Sequence, residues 1–509
     1  MDNKNFTPAQ KIAKESTISF VGMGYGQFVR YLFTALLARL VGVHYLGIYS
    51  LGNSITNIAG VLGTVGTDVG IMRYVSMRDL MKDKKSIKID ILSTLKMGLV
   101  FSIIVMLAQI LFSKWLVESV FHESSLLRNV LIVYALSLPF TALMMIAVFA
   151  TQGFQLLKYK VFVESILNPT ILIVSMIFLY FAFSSELAII LPTLLTGIVG
   201  FIVANYFLKK VSDVNIFNIL NASFSKEILT YSVPIMFTMV LGSLLHWMDV
   251  LMLGYFIDAE TVGLYHPAAR TAGLQQSILI VFAGIFAPMF SRYYAQNDIM
   301  GMNHIYKLVS RWVLTIIVPV LILIILFPTK IMLLFGADFT QSASVLIILT
   351  IGTSIFAVFG ISSTALVVSG YQKINLVNTF SAVVLNICLN IILIPKYGIS
   401  GAAWATLSSM TFIAMARLIE TWIFLKVIPF NIKIFKPVIA GILTYGILQY
   451  IKPNLMVYHT IITLLLSTII IFTIYGILLL LFKFDEDDKD FLRSISFLKN
   501  KVIKPTVRK

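Results

Sequence analysis

The chain has 509 residues, of which 59% are hydrophobic and only 12% charged, about half the charged share of an ordinary soluble domain. That balance excludes a soluble enzyme or binding module, since no soluble fold hides so much apolar surface. The net charge of +16 would suggest nucleic acid in a soluble protein, but in a membrane protein basic residues report first which loops stay in the cytoplasm, and no nucleic-acid partner is expected.

A spanning helix needs about 20 predominantly apolar residues. The pattern predicts spans near 16–41, 45–70, 91–113, 129–151, 164–183, 187–208, 229–256, 263–285, 308–328, 341–365, 376–395, 400–426, 436–451 and 458–482. The segment 1–15 carries Lys4, Lys11 and Lys14 without a following short apolar core and cleavage site, so it reads as cytoplasmic, and the first span acts as the insertion signal. The predicted organisation is a first lobe of six helices over 16–208, a cytoplasmic linker over 209–228 and a second lobe of six over 229–426. Two additional helices over 427–482 and a basic tail over 483–509 follow. With the amino terminus inside, the cytoplasmic segments collect Arg73, Arg78, Lys82, Lys84, Lys85 and Lys88, then Lys158, Lys160, Lys209, Lys210 and Lys226, and later Lys426, Lys433 and Lys436. The opposite face has only Lys114, Arg128, Lys330, Lys396 and Lys452. That asymmetry places both termini in the cytoplasm. In the tail, Phe491, Ile495, Leu498 and Val502 recur at helical spacing among Lys499, Lys501 and Lys504, which fits a helix on anionic headgroups or a plain solvated tail equally well.

Internal duplication organises the spans. Leu46-Gly47-Ile48-Tyr49 is echoed by Val262-Gly263-Leu264-Tyr265 after 216 positions, Arg73-Tyr74 by Arg292-Tyr293 after 219, and Gly153-Phe154-Gln155 by Gly370-Tyr371-Gln372 after 217. The offset covers an even number of spans, so the halves share one orientation and are related by an axis along the membrane normal. The expected fold is an all-α polytopic membrane protein with about fourteen transmembrane helices, in two pseudo-symmetric lobes around a central cavity.

Several segments together resemble a known group. They are Tyr231-Ser232-Val233-Pro234, Asp249 with Leu253-Gly254-Tyr255-Phe256, Val262-Gly263-Leu264-Tyr265, Ala268-Ala269-Arg270, Leu334-Phe335-Gly336, Asn386-Ile387-Cys388-Leu389-Asn390, and Ile394-Pro395-Lys396-Tyr397-Gly398-Ile399-Ser400-Gly401-Ala402-Ala403-Trp404-Ala405-Thr406. They are similar to the polysaccharide-exporter, Wzx-like branch of the superfamily that also holds lipid II flippases and multidrug and toxin extruders. The resemblance runs over essentially the full length, in short turn and packing signatures that identify the scaffold better than the cargo. It implies a plasma-membrane flippase that moves an undecaprenyl-pyrophosphate-linked oligosaccharide from the inner to the outer leaflet. Membrane lipids and polysaccharide polymerase or assembly proteins would be its partners. Other readings on the same scaffold are an ion-coupled multidrug or cation extruder and a lipid II flippase. A membrane-embedded glycan polymerase or ligase is disfavoured because the outer loops are short, so no enzymatic activity is expected.

Such a cargo needs a wet, basic cavity, since a pyrophosphate cannot cross hydrocarbon unaided. Arg30 lies mid-way along the first span, where an arginine costs about 2.5–3.5 kcal/mol unless it faces a cavity or partner. The repeat offset carries Arg30 onto His246, and Arg270 gives the second half a permanent charge. Arg30, Arg270 and His246 are therefore the candidate binders of the anionic head, because paired N–H donors match phosphate oxygens. A structural salt bridge from either arginine to Asp249 or Glu420 is the competing reading. Asp249, Asp68, Glu164 and Glu420 are the candidate ion-coupling acids, Asp249 and Glu420 foremost, with an i,i+3 pair to Arg417 as the simpler role for Glu420. Asp68 and Glu164 lie near cytoplasmic span ends, where a plain water-solvated helix-end role is the simpler reading. Gly22-Met23-Gly24-Tyr25-Gly26 lacks the strand and basic residue of a nucleotide loop and reads as a helix-packing surface. The single Cys388 and six scattered histidines form no recognisable metal motif. No cofactor is expected.

Overall fold

The computed structural model describes residues 8–482; expectations for residues 1–7 and for the basic tail 483–509 fall outside the described residues. Among the described residues the chain is helical and has no strand. In lipid no water satisfies backbone N–H and C=O groups, and a helix satisfies them within one segment. The helices are α1 (Pro8–Thr64), α2 (Thr67–Leu80), α3 (Lys84–Trp115), α4 (Ser125–Gly153), α5 (Leu157–Val161), α6 (Asn168–Ala182), α7 (Ser185–Ser212), α8 (Lys226–Phe256), α9 (Ala259–Ala295), α10 (Ile299–Leu326), α11 (Pro328–Met332), α12 (Ala343–Phe359), α13 (Ile361–Val368), α14 (Gln372–Glu420), α15 (Phe435–Met456) and α16 (Thr460–Leu481).

Twelve of the helical segments among the described residues are long and apolar enough to cross a membrane. Two of these, α1 and α14, are broken by glycines in conformations no helix residue adopts, Gly42 at φ 84° and Gly398 at φ 55°. Each therefore supplies two spans, and the total is the predicted fourteen. The protein is a multi-pass membrane protein. Its surface fits the medium: Phe28, Leu111, Phe181, Ile442 and Leu465 are large, apolar and exposed, as lipid-facing side chains are.

The helices overrun their apolar cores because polar residues start them. Asp83, Ser184, Ser225 and Asp298 each accept a backbone N–H three residues on, starting α3, α7, α8 and α10. Sequence reading leaves 71–90 as a polar connection; the structure puts its first half in α2 and residues 84–90 in α3, with α2 following a turn through Val65 and Gly66 with positive φ. Gly66 cannot be replaced without strain. Its φ is 69°, and an added Cβ would stand 2.6 Å from the carbonyl oxygen of Ser232.

Among the described residues two compact units divide the chain, one made of residues 8–274, 335–349 and 376–409, the other of 275–334, 350–375 and 410–482. In the first, α4 packs against α1, α2, α3 and α7, around a core that includes Ile71, Leu95, Ile146, Ala150 and Leu208. The Gly22 and Gly26 face lies against Val161 and Ser165, with an added Cβ at Gly26 only 2.6 Å from the Ser165 carbonyl oxygen, as the packing reading required. The repeat is visible within this unit. A Cβ added to Gly47 would stand 3.1 Å from Gly263 N, and one added to Gly263 would stand 3.1 Å from Gly47 N. Residues at equivalent positions of the two halves thus meet reciprocally, as a two-fold relation between them demands. In the second unit, α10 packs on α15 and α16, and Phe286, Phe290, Tyr306 and Val313 form a core.

Candidate functional site

A cavity of about 410 Å³ opens among α1, α4, α6, α7, α8 and α9 within the first unit. Arg30 and Arg270 both line it. Asn53, Asn57, Asn168, Thr193 and Thr196 add amides and hydroxyls to a wall otherwise largely apolar, with Phe33, Met144, Pro169 and Leu172. The two arginines are held together by their neighbours in sequence: Tyr31 Oη and Thr271 Oγ1 share a hydrogen bond of 3.2 Å between α1 and α9. Thr271 in turn donates to the Pro267 carbonyl at 2.7 Å, an oxygen one turn back on its own helix.

Neither guanidinium is neutralised. Arg30 Nη2 donates to the main-chain oxygen of Glu164 at 2.8 Å, and Arg270 Nη2 to Gln27 Oε1 at 3.4 Å. Ion pairs among the described residues involve Arg78 with Asp90, Lys88 with Asp213 and Lys114 with Glu118, and neither cavity arginine is in one. The salt-bridge alternative for Arg30 and Arg270 is therefore not the arrangement adopted. The Glu164 carbonyl lies in a π turn, Phe162–Leu167, between α5 and α6; such a turn widens the helix and frees main-chain oxygens for side chains. The predicted His246 does not line the cavity and is exposed on α8 beside Trp247. Trp247 and His266 line it instead, their rings nearly parallel at 6° with centroids 6.4 Å apart. Sequence reasoning missed both. The available signal was position: His266 sits one helical turn before Arg270 and so shares its face.

A second polar cluster gathers around Asp249, which is only 8% exposed. Its Oδ1 accepts from Asn390 Nδ2 at 2.9 Å and Asn386 Nδ2 at 3.2 Å. Its Oδ2 accepts from Tyr265 Oη at 2.6 Å and also from Thr406 Oγ1. Asn390 and Asn386 lie one turn apart on α14 and bond to each other at 3.0 Å, and Asn386 also reaches Thr406 Oγ1 at 3.3 Å. The break at Gly398 folds the two parts of α14 back together so that residues 386, 390 and 406 face one carboxylate. Asn390 Oδ1 is buried and has no hydrogen-bond donor among the described residues. A carboxylate, a hydroxyl and two amides that can turn their oxygens inward form an oxygen-rich set suited to a hard cation. The spacing Asn-x-x-x-Asn in an apolar helix was the legible signal, since buried amides are otherwise costly. Glu420 stands elsewhere, half-buried at the end of α14, within the electrostatic reach of Arg417.

A family model described as "Polysaccharide biosynthesis protein" matches residues 12–294, more than half of the chain. The chain belongs to that family. A second model, MatE, matches residues 234–392. The chain is 30% identical over 186 residues to the "Probable low-salt glycan biosynthesis flippase Agl15" of Haloferax volcanii, a match covering 36% of this chain and 39% of that protein. The chain thus aligns with less than half of that relative's length. An uncharacterized membrane protein of Methanocaldococcus jannaschii is 23% identical over 401 residues, covering 74% of this chain and 77% of its own. Among solved structures, "Lipid II flippase MurJ, inward closed conformation" superposes with a TM-score of 0.72 at 16% identity, covering 92% of this chain and 98% of that one. The chain shares the fold of that structure.

Proposed function

We propose that this protein is a flippase that carries a lipid-linked oligosaccharide of the undecaprenyl-pyrophosphate type across the plasma membrane for cell-surface polysaccharide assembly, by alternating access. The observation that carries the reading is the pair Arg30 and Arg270, two guanidiniums without carboxylate partners in one amide- and hydroxyl-lined cavity. An anionic head with phosphate oxygens satisfies both, and the amides and hydroxyls serve sugar hydroxyls. The names of Agl15 and MurJ, both flippases, support it. Lobes bounded at 208 and 229, cytoplasmic termini, and polymerase or assembly partners belong to the same reading, on the strength of the repeat and the basic-residue asymmetry. Asp249, Asn386, Asn390 and Thr406 are the ion-coupling group, taking a monovalent cation or a proton.

Reconstitution tests it. Wild type and an Arg30→Gln/Arg270→Gln double variant are compared for transport of a fluorescent undecaprenyl-pyrophosphate glycan in proteoliposomes, with a cationic dye as competing cargo. The expected result is glycan-lipid movement by the wild type, none by the folded double variant, and no dye movement. Undiminished glycan transport by the double variant overturns the anionic-cavity reading. Dye transport without lipid transport makes the protein an extruder, the activity the MatE match would favour.

A further inference from the structure

Beside Arg30 lies a group of charges, buried Asp68 with half-buried Lys160 and Glu164, that the cargo reading does not use. Asp68, in the first turn of α2, is only 1% exposed, and its Oδ1 has no hydrogen-bond donor among the described residues. Glu164, in the π turn whose carbonyl holds Arg30, likewise has a buried Oε1 without a donor. Both acids were expected in water at helix ends; the turn through Val65 and Gly66 swings Asp68 inward instead. Lys160, one turn before Glu164, donates to Gln152 Oε1 at 3.1 Å and rests 3.5 Å from the Phe149 ring centroid. The charges that face these acids come from three elements. Glu164 lies in the fields of Lys160, Arg30 and Asp68, and Asp68 in that of Lys160. No ion pair joins them among the described residues.

A buried carboxylate oxygen with no donor is costly as an anion and must find a proton or a cation. A metal ion fits poorly. The Lys160 ammonium already supplies a positive charge, and two unengaged carboxylate oxygens fall short of the six or so oxygens hard cations gather. A proton needs only one of them. Arg30 connects this group to the cavity, because it lines the cavity and is anchored on Glu164's own main chain. An anion that neutralises Arg30 removes positive charge from beside Glu164, and the carboxylate then holds a proton more readily.

We propose that Asp68 and Glu164 form a proton-exchange site, separate from Asp249, that takes up a proton when an anionic ligand engages Arg30. The proposal rests on Arg30 as an anion-binding group. Bond accounting is simple: a proton from water joins a carboxylate oxygen as the anion enters and leaves when it departs. By linkage, anion affinity rises as pH falls.

The test is calorimetric titration of inorganic pyrophosphate into the purified full-length protein, in buffers of differing ionisation enthalpy, which counts protons exchanged on binding. Glu164→Gln preserves the main-chain bond to Arg30, and Asp68→Asn is the second variant; subtracting each from wild type cancels the protons pyrophosphate itself exchanges. The expected result is binding by all three proteins, with wild type taking up close to one proton more than either variant. Equal proton counts in wild type and in both variants overturn the proton-exchange site and leave the anionic cavity standing. If pyrophosphate fails to bind wild type, the cavity reading itself falls and takes this coupling with it. Infrared titration of wild type adds a readout that needs no variant to fold: a protonated-carboxyl band that grows on adding pyrophosphate supports the site, and a constant band overturns it.

Discussion

Replacing Asp249 separates a structural carboxylate from an ion-binding one. Asp249→Ala removes the acceptor of Tyr265, Asn386, Asn390 and Thr406 at once. Asn390 can still donate to Asn386, and Asn386 to Thr406, so the net loss is one or two buried donors rather than four. At about 1–3 kcal/mol per unsatisfied buried group, and less where membrane-embedded groups find new partners, the expected destabilisation is about 2 kcal/mol. Asp249→Asn behaves differently. It keeps the volume and an acceptor for the two asparagines, and removes a buried charge that has neutral donors but no cation beside it, a desolvation cost on the order of several kcal/mol that the donors only partly offset. In sodium-free buffer it should therefore be at least as stable as wild type. Saturating sodium should stabilise wild type by about 2.7 kcal/mol at one hundred times the dissociation constant and leave Asp249→Asn unmoved. Thermal unfolding in detergent, with sodium chloride against choline chloride, measures all three proteins. If Asp249→Asn gains as much from sodium as wild type, or is destabilised as much as Asp249→Ala, the carboxylate is a structural acceptor and the cation reading is wrong.

The reciprocal contact of Gly47 and Gly263 leaves no room for a methyl. Gly47→Ala should disfavour the conformation described here by about 1–3 kcal/mol, roughly a 5–150-fold population shift. In a Cys388→Ser background carrying Thr196→Cys in the cavity, an impermeant thiol reagent applied from outside should label Gly47→Ala faster than its parent; unchanged labelling would show that this glycine contact does not limit access to the cavity. At the start of α3, outside the membrane, Asp83 is held below the ordinary 3.8 by its hydrogen bonds to Ser86. A depressed acid contributes stability above the ordinary value and loses it as pH falls through its own lower value. Asp83→Ala should accordingly speed amide exchange in the first turn of α3 at neutral pH and make little difference once the native carboxyl is protonated. A difference that persists in acid would mean the cap does not depend on the charge.

Much of the fold is legible because a bilayer imposes a one-dimensional rule. Each crossing demands its own apolar run, so the runs could be counted, and even the merged helices part at Gly42 and Gly398, where the count placed a turn. Boundaries were less legible, since capping side chains such as Asp298 and Ser225 extend helices past the apolar run that marks them. Of the site, Arg30 and Arg270 stood out because charge in an apolar stretch is expensive wherever it lies. His246 was carried over by repeat arithmetic alone, and rotation about the helix axis turns it away from the cavity while Trp247, its neighbour, faces in.

Composition, hydrophobic run lengths and charge asymmetry by themselves determined that the chain is a fourteen-span helical membrane protein with buried cationic side chains. Those properties are local: each follows from a segment's own cost of transfer into lipid. Which polar groups meet was decided by tertiary structure alone. The fold-back at Gly398 brings residues of two spans onto Asp249, the π turn offers a carbonyl to Arg30, and the turn at Gly66 buries Asp68. Their partners lie on other helices, in some cases more than a hundred residues away, and the direction in which a side chain leaves its helix there depends on backbone breaks of one or a few residues.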